Sequence, residues 1–479
     1  MPKQKTDRRF VTAAMLVAIL LVAIDVTIVS TAMPKVVRDL NGLNLISWVF
    51  AIYTLTTSVT TPIYGKLADL FGRKKIFIVG VVLFVGGSVL SGIAQTMAQL
   101  IIFRAIQGVG AGAVMPITFT IIGDLYPGEQ RAKMQGLFSS VWGIAGLLGP
   151  LVGGFLVDHV SWRWIFFINL PIGFVSLILI ILCFHETYEK RKKHSIDYLG
   201  ALTFTFGLSS LLYVLLNAGQ GQQYAWNSAP VYGFFATAAI LLVAFGFIEA
   251  KVNEPMLPLS MFRIPVILVS NLLTLLASSV VIALNVYLPM WIQTILDKSA
   301  TSSGLTLMPM SIAWPLGAAL AGRYMYRIGS KLTAVTGAAL VACGCTWLSV
   351  LTLGSPYWYF VGIMVIVGFG MGYALTPTTV LVQSAVGWAM RGAATASNML
   401  MRSVGQTVGI AVFGTIFNNA LLSGKTHAGS TAASVHAAMA GAIHLVFLFV
   451  FVIGLATLLV ALLLPSHRKV LAQQKQVEN

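Results

Sequence analysis

Apolar runs of about 20 residues recur from one end of this chain to the other, and a helix of that length spans the roughly 30 Å hydrocarbon core of a bilayer. They fall at 10–33, 44–66, 76–95, 98–123, 133–157, 164–184, 197–217, 229–249, 265–295, 302–322, 332–352, 356–383, 393–420 and 438–464. Fourteen such runs predict an all-α polytopic membrane protein. Of the 479 residues, 57% are apolar and only 9% charged, against about 25% charged in an ordinary soluble domain. That excludes a cytosolic enzyme and intrinsic disorder alike. The first run follows Lys3, Lys5, Arg8 and Arg9. It is too long for a signal-peptide core, carries Asp25 and has no small-x-small cleavage site, so it reads as a retained helix.

The net charge is +16. In a soluble chain this would suggest nucleic acid; here the basic residues sit in clusters between the runs and report topology instead. With the N-terminus inside, 23 of the 30 Lys and Arg fall on the inner side. Five fall outside (Lys35, Arg38, Arg163, Lys298, Lys425), and Arg104 and Arg402 lie within runs. Both termini are therefore expected in the cytoplasm, and no nucleic-acid partner is expected. No segment between runs is long enough for a soluble domain, and no P-loop is present, so ATP is not the direct energy source. Cys183, Cys343, Cys345 and the seven His residues show no metal spacing. No nucleophile–base constellation appears, so neither enzyme chemistry, cofactor nor metal is expected.

An internal repeat is visible. Gly65-Lys-Leu-Ala-Asp69-Leu-Phe-Gly72-Arg73-Lys74 follows the second run, and Gly322-Arg-Tyr-Met-Tyr326-Arg-Ile-Gly329-Ser-Lys331 follows the tenth, 257 residues on. Arg131 and Arg391 each open a run, 260 residues apart. Runs 1–6 thus map onto 9–14, and runs 7 and 8 look inserted. This predicts a bundle over 1–188, an inserted pair over 189–260, a second bundle over 261–464 and a tail over 465–479.

The Gly65–Lys74 segment resembles the loop 2–3 signature of the major facilitator superfamily. The segment from Ala23 through Asp25 and Thr27 to Pro34 resembles the first-helix signature of its fourteen-span drug:proton antiporters. Leu100, Arg104, Gln107, Gly108, Gly110 and Gly112 fall in the pattern of the fourth-helix motif. The series Gly143, Gly146, Gly149, Pro150, Gly153 and Gly154 resembles the fifth-helix antiporter motif. Trp162 to Gly173 is similar to the start of the sixth span. The resemblance implies two six-helix bundles plus two inserted helices, moving by alternating access. Tyr326 stands where the first repeat has Asp69, a departure that makes a second copy of the loop motif degenerate.

Asp25 is the only carboxylate deep within a run, and an ionisable group at that depth marks function by default. It is the natural proton carrier, and a structural ion pair is the alternative. Family resemblance implies that Arg104 serves proton coupling beside it. Gly65, Asp69, Gly72 and Arg73 form a candidate latch, in which Asp69 accepts from a neighbouring helix N-terminus while Arg73 neutralises it. Gly146, Gly149, Pro150, Gly153 and Gly154 leave one helix stripe free of bulk, which permits close packing. In the resembled family this helix is a sliding interface between halves. Asn398, Arg402 and Gln406, four apart, share a face that suits a water-filled cavity or a structural network. Tyr53, Trp142, Asn285, Tyr287, Met308, Met310 and Trp314 complete a candidate cavity lining, because aromatic and Met surfaces accept varied lipophilic ligands.

The expected function is export of lipophilic compounds (neutral, zwitterionic or monocationic) in exchange for protons, by a monomer in a bacterial plasma membrane. A dedicated exporter or lipid flippase for an endogenous metabolite fits the same motifs. A membrane sensor on a transporter scaffold is the rival of another class.

Overall fold

A computed structural model describes residues 7–40, 46–126, 128–186, 197–218, 224–252, 255, 257–298, 300–352, 354–387, 390–428 and 432–465. The expected boundary at 188/189 and nearly all of the tail lie outside the described residues.

Every long element among the described residues is a helix. In the first part of the chain these are α1 (Arg8–Leu40), α2 (Ile46–Phe71), α3 (Arg73–Gly92), α4 (Met97–Leu125), α5 (Gly128–His159), the single turn α6 (Trp164–Phe167) and α7 (Asn169–Cys183). Next come α8 (Tyr198–Asn217) and α9 (Ala229–Lys251). The last part holds α10 (Pro265–Thr294), α11 (Ala300–Tyr324), α12 (Ser330–Ser349), α13 (Tyr357–Ser384), α14 (Arg391–Ala428) and α15 (Ala432–Leu462). Helices α1–α7 enclose two apolar clusters, one around Met15, Phe77, Phe84 and Phe138 and one around Trp162 and Phe166. Helices α10–α15 enclose another around Leu284, Trp291, Phe360 and Phe447. The two groups meet where α2 packs on α14 and α5 packs on α11.

Helices α8 and α9 pair with each other, with the rings of Phe204 and Phe245 5.1 Å apart. Through Phe204, Leu208 and Leu212 they share a cluster with Val59 of α2, Val382 of α13 and Leu400 of α14. The pair therefore lies over the α2–α14 seam, in contact with both groups.

Among the described residues twelve helices are long and apolar enough to cross a membrane, α6 and α7 counting together as one. That is two fewer than the apolar runs suggest, and α2 and α5 are the difference. The apolar stretch described in α5, Gly136–Gly149, is shorter than a span, whereas α2 is polar where it lies at the seam between groups. In α2 the hydroxyls of Thr56, Thr57, Ser58, Thr60 and Thr61 each donate to the carbonyl four residues back, at 2.7–2.8 Å. Such back-bonding satisfies a hydroxyl without a water or a second helix, and it lets a polar helix run through an apolar bundle.

The repeat is reproduced in three dimensions. Gly72 (φ 95°) precedes α3 and Gly329 (φ 93°) precedes α12, the same left-handed turn at the 257-residue offset. Gly80 faces Gly110 between α3 and α4, as Gly337 faces Gly370 between α12 and α13. At Gly72 a side chain would meet the Glu186 carboxylate at 2.8 Å besides adopting an unfavourable φ. Gly72→Ala should therefore destabilise the protein by about 1–2 kcal/mol. Gly86→Ala, in open space on the same face-forming helix α3, should leave stability unchanged or raise it slightly. Thermal unfolding of the two detergent-purified variants checks the contrast.

Candidate functional site

Five helical elements of the first group converge on Asp25. It sits midway along α1 and is fully buried. Arg104, two turns into α4, donates from Nη1 to Asp25 Oδ2 at 2.6 Å. Gln107, one turn further along α4, donates from Nε2 to Asp25 Oδ1 at 2.8 Å, and its own Oε1 accepts from Arg104 at 2.8 Å. Asn169, the first residue of α7, donates to Asp25 Oδ1 at 3.0 Å and to Ser88 Oγ of α3 at 2.9 Å. Ser88 passes its own proton to the Phe166 carbonyl. The Tyr53 ring of α2 lies 4.2 Å from the Arg104 guanidinium carbon, a cation–π contact.

Three donors on two carboxylate oxygens fit an ionised Asp25, and the aromatic face and the Gln107 amide fit a charged Arg104. Removing one member of a buried pair typically costs about 3–5 kcal/mol, because the other charge is left alone in a low dielectric. The Tyr53 hydroxyl, the Asn169 Oδ1 and the Arg104 Nε are buried without a hydrogen-bond partner among the described residues. Protonating Asp25 would thus alter a linkage that includes α1, α2, α3, α4 and α7 together.

A second cluster lies at the end of the bundle where α2 turns into α3, termed here the basic end. Arg73 Nη2 meets Asp69 Oδ1 at 2.8 Å, with both side chains buried. Asp69 Oδ2 accepts from the backbone N–H of Ala393 at 3.1 Å, in the first turn of α14 and so in the other group. Four orphan N–H groups and the positive end of the dipole make that turn a suitable partner for a carboxylate. Gly65 and Gly392 allow the approach: a Cβ on Gly65 would lie 2.6 Å from Ala396 Cβ, and one on Gly392 would strike the Asp69 carboxylate. Asp124, at the end of α4, is held by Arg391 at 2.6 Å and approached by Arg73 Nε at 3.4 Å.

Arg131 and Arg391 show the repeat in side-chain detail. Arg131 donates to the Gly123 carbonyl of its own group and across the seam to Ser384 Oγ. Arg391 donates to the Gln383 carbonyl of its own group and across the seam to Asp124. Gly123 and Gln383, like Asp124 and Ser384, are 260 residues apart, so the two arginines clasp each other's group about a pseudo-two-fold axis. Seryl contacts continue the seam inward, where Ser58 of α2 meets Ser403 of α14.

The small-residue stripe of α5 divides between two partners. Gly143 and Gly146 face Ser311 of α11 in the other group, whereas Gly149 faces Thr27 of α1 in its own. The stripe is therefore not a single interface between groups. Gly153 is buried; the side chain of Pro150 and the surroundings of Gly154 lie outside the described residues.

The expected cavity lining also separates. Trp142 is half-buried against the first core, and Met308 and Trp314 are half-buried on α11. Tyr287 and Met310 instead pack in the core of the second group. The Tyr287 ring lies tilted 5.7 Å from that of Phe417, and Met310 backs Gly368 where Tyr53 backs Gly108 in the first repeat. Asn285 is exposed on α10 beside exposed Val286. Asn398 does not share a cavity face with Arg402 and Gln406. It is buried, donating to Asn271 Oδ1 at 2.9 Å and Thr274 Oγ1 at 3.0 Å on α10, which ties α14 to α10.

Three residues that matter at these sites were not assigned roles from the sequence. Asn169 was visible only as a member of the Trp162–Gly173 segment, with no role of its own. Ser88 looks like any small polar residue in a span. Glu186 caps the start of α3, accepting from the backbone N–H groups of Arg73 at 2.8 Å and Lys74 at 3.1 Å. It acts across more than a hundred residues, and no local pattern announces it.

Comparison with known proteins bears on the family and the fold. Residues 15–410 match the Major Facilitator Superfamily. The chain is 38% identical over 438 residues to "Multidrug resistance protein 3" of Bacillus subtilis, covering 90% of this chain and 85% of the relative. It is 36% identical over 415 residues to "Multidrug transporter protein MdtP" of the same organism, covering 87% and 76%. Among solved structures it resembles a double-Trp variant of XylE, with a TM-score of 0.69 at 16% identity, covering 97% of this chain and 98% of that one. It also resembles the human organic anion transporter MFSD10, with a TM-score of 0.68 at 13% identity, covering 95% and 100%. At such identities the structural likeness speaks for the fold alone. The relatives and the helical architecture together make this chain a multi-pass membrane protein of the Major Facilitator Superfamily.

Proposed function

We propose that this chain exports lipophilic compounds in exchange for protons, as a monomer in a bacterial plasma membrane. On this reading α2 and α5 cross the membrane as well. Their 26 and 32 residues would span about 39 and 48 Å at 1.5 Å per residue. Fourteen spans, two six-helix bundles with α8 and α9 inserted, and both termini in the cytoplasm follow, the basic end being the inner one. The relatives named as multidrug transporters support drug efflux. The observation that carries proton coupling is the buried Asp25–Arg104 pair. A proton on Asp25 neutralises the carboxylate and releases Arg104 to Gln107 and Tyr53, so substrate and proton compete for the two states of one network.

Asp25→Asn should abolish efflux driven by an imposed pH gradient in membrane vesicles, with the protein still present in the membrane. Wild-type rates in that variant would remove Asp25 from the coupling step.

The basic-end cluster acts as the latch that holds the two groups together there. Asp69→Asn weakens both the Arg73 pair and the contact with Ala393, so it should open that end. In a background lacking Cys183, Cys343 and Cys345, a reporter Ser58→Cys should be labelled several-fold faster from the basic end when Asp69→Asn is added. Unchanged labelling and unchanged transport would leave the cluster only an anchoring role.

Asp25 is the only acid described at mid-depth; Asp69 and Asp124 are engaged at the basic end and Glu249 lies near the end of α9. A second positive charge on a substrate would then enter a low-dielectric space without a counter-ion, at a cost of a few kcal/mol. A rigid bis-quaternary compound should be exported at least about tenfold less well than its mono-quaternary match of equal hydrophobicity. Equal protection of cells against both compounds would contradict this.

A further inference from the structure

Two arginines lie within the spans, and the structure treats them differently. Arg104 shows how this fold completes a buried guanidinium: an aromatic ring covers its face (Tyr53, 4.2 Å) and a carboxylate meets its edge (Asp25, 2.6 Å). Arg402 of α14 has the first half of that arrangement. Its guanidinium carbon stands 5.5 Å from the Trp314 ring of α11. Among the described residues no carboxylate, hydroxyl or carbonyl bonds its edge. The ring contact occupies none of the five N–H donors of the guanidinium, and a fork of such donors takes a carboxylate in bidentate fashion.

The surroundings place this pair in interior space. Arg402 and Trp314 are each half-buried. Their helices do not pack face to face, since α11 packs on α13 and α5 while α14 packs on α10, α15 and α2. Arg402 directly precedes Ser403, which meets Ser58 across the α2–α14 seam. Trp314 is three residues past Ser311, which faces Gly143 and Gly146 across the α5–α11 seam. The contact between them therefore bridges the region flanked by both seams. Gln406, one turn beyond Arg402 and also half-buried, adds a polar group to the same stretch of α14.

We propose that Arg402 and Trp314 form a subsite for the carboxylate of an aromatic substrate, the acid occupying the edge of Arg402 as Asp25 occupies that of Arg104 and the substrate ring extending along Trp314. The proposal rests on the export reading and sharpens it: aromatic acids and zwitterions join the neutral and monocationic compounds, with the acid held by the second group and the proton by the first.

The test uses 1-pyrenebutyric acid and its uncharged primary amide, two probes of nearly equal shape. Dissociation constants come from pyrene anisotropy with the full-length purified protein, and transport from vesicles. The wild type should bind the acid at least about tenfold more tightly than the amide. Arg402→Gln should bring that ratio close to one. Arg402→Lys keeps the charge but loses the fork, and should give an intermediate ratio, which keeps the test open if Arg402→Gln does not fold. A wild-type ratio near one, or a ratio unchanged in both variants, overturns the subsite. Asp25→Asn separates the two ideas: it should stop proton-driven transport of both probes while preserving the binding ratio. A wild type that binds the acid selectively yet moves neither probe under a pH gradient would overturn the export reading and leave the subsite standing.

Discussion

A guanidinium and a carboxylate held 2.6 Å apart, both out of reach of solvent, set the terms for the first helical group. Each charge is tolerable there only because the other is present. The remaining valences are distributed widely, to Gln107 on α4, Asn169 at the start of α7, Ser88 on α3 and the Tyr53 ring on α2. A change of one proton at Asp25 is consequently a change in how five helices hold one another. In the proposed mechanism, that coupling of a local charge to the posture of a whole bundle drives alternating access.

The two groups are related by a repeat, but the ionic closure between them is not symmetric. Arg131 and Arg391 perform matching reaches across the seam, one to a hydroxyl and the other to a carboxylate. Asp69 grips the first turn of α14, while the corresponding position of the second repeat is the exposed Tyr326. The backbone symmetry survives in Gly72 and Gly329; the charge chemistry is retained in the first copy. In the proposed cycle the first group therefore supplies both the proton site and the acids of the latch. The second supplies the helix terminus that the latch grips and, through Arg402, a site of opposite charge preference.

The helical architecture was legible because a bilayer demands long apolar runs, and fourteen of them align with the helices described. Of these, α2 falls short of the apolarity of a spanning helix because it forms the seam with α14, where hydroxyls serve better than leucines. Asp25 and Arg104 were legible for a related reason: charge at such depth is expensive and therefore conspicuous; Asp69 and Arg73 were legible from the glycine-and-charge pattern of the Gly65–Lys74 loop. Their partners were not. Asn169, Ser88 and Glu186 are ordinary polar residues whose importance comes from contacts made 81 to 144 residues away in sequence. The cavity lining was least legible, since Tyr287 and Met310 inside a core and Trp314 half-buried against it look alike in a helical pattern. Only packing distinguishes them.

Proton release on substrate binding tests the central claim most directly. Purified protein in weakly buffered detergent solution, with a pH indicator, is mixed with an exported compound at a series of pH values. If substrate and proton compete through the Asp25–Arg104 network, binding releases protons from the wild type, and Asp25→Asn binds the compound with no such release. Binding without proton release in the wild type, or the same release from Asp25→Asn, would contradict the account.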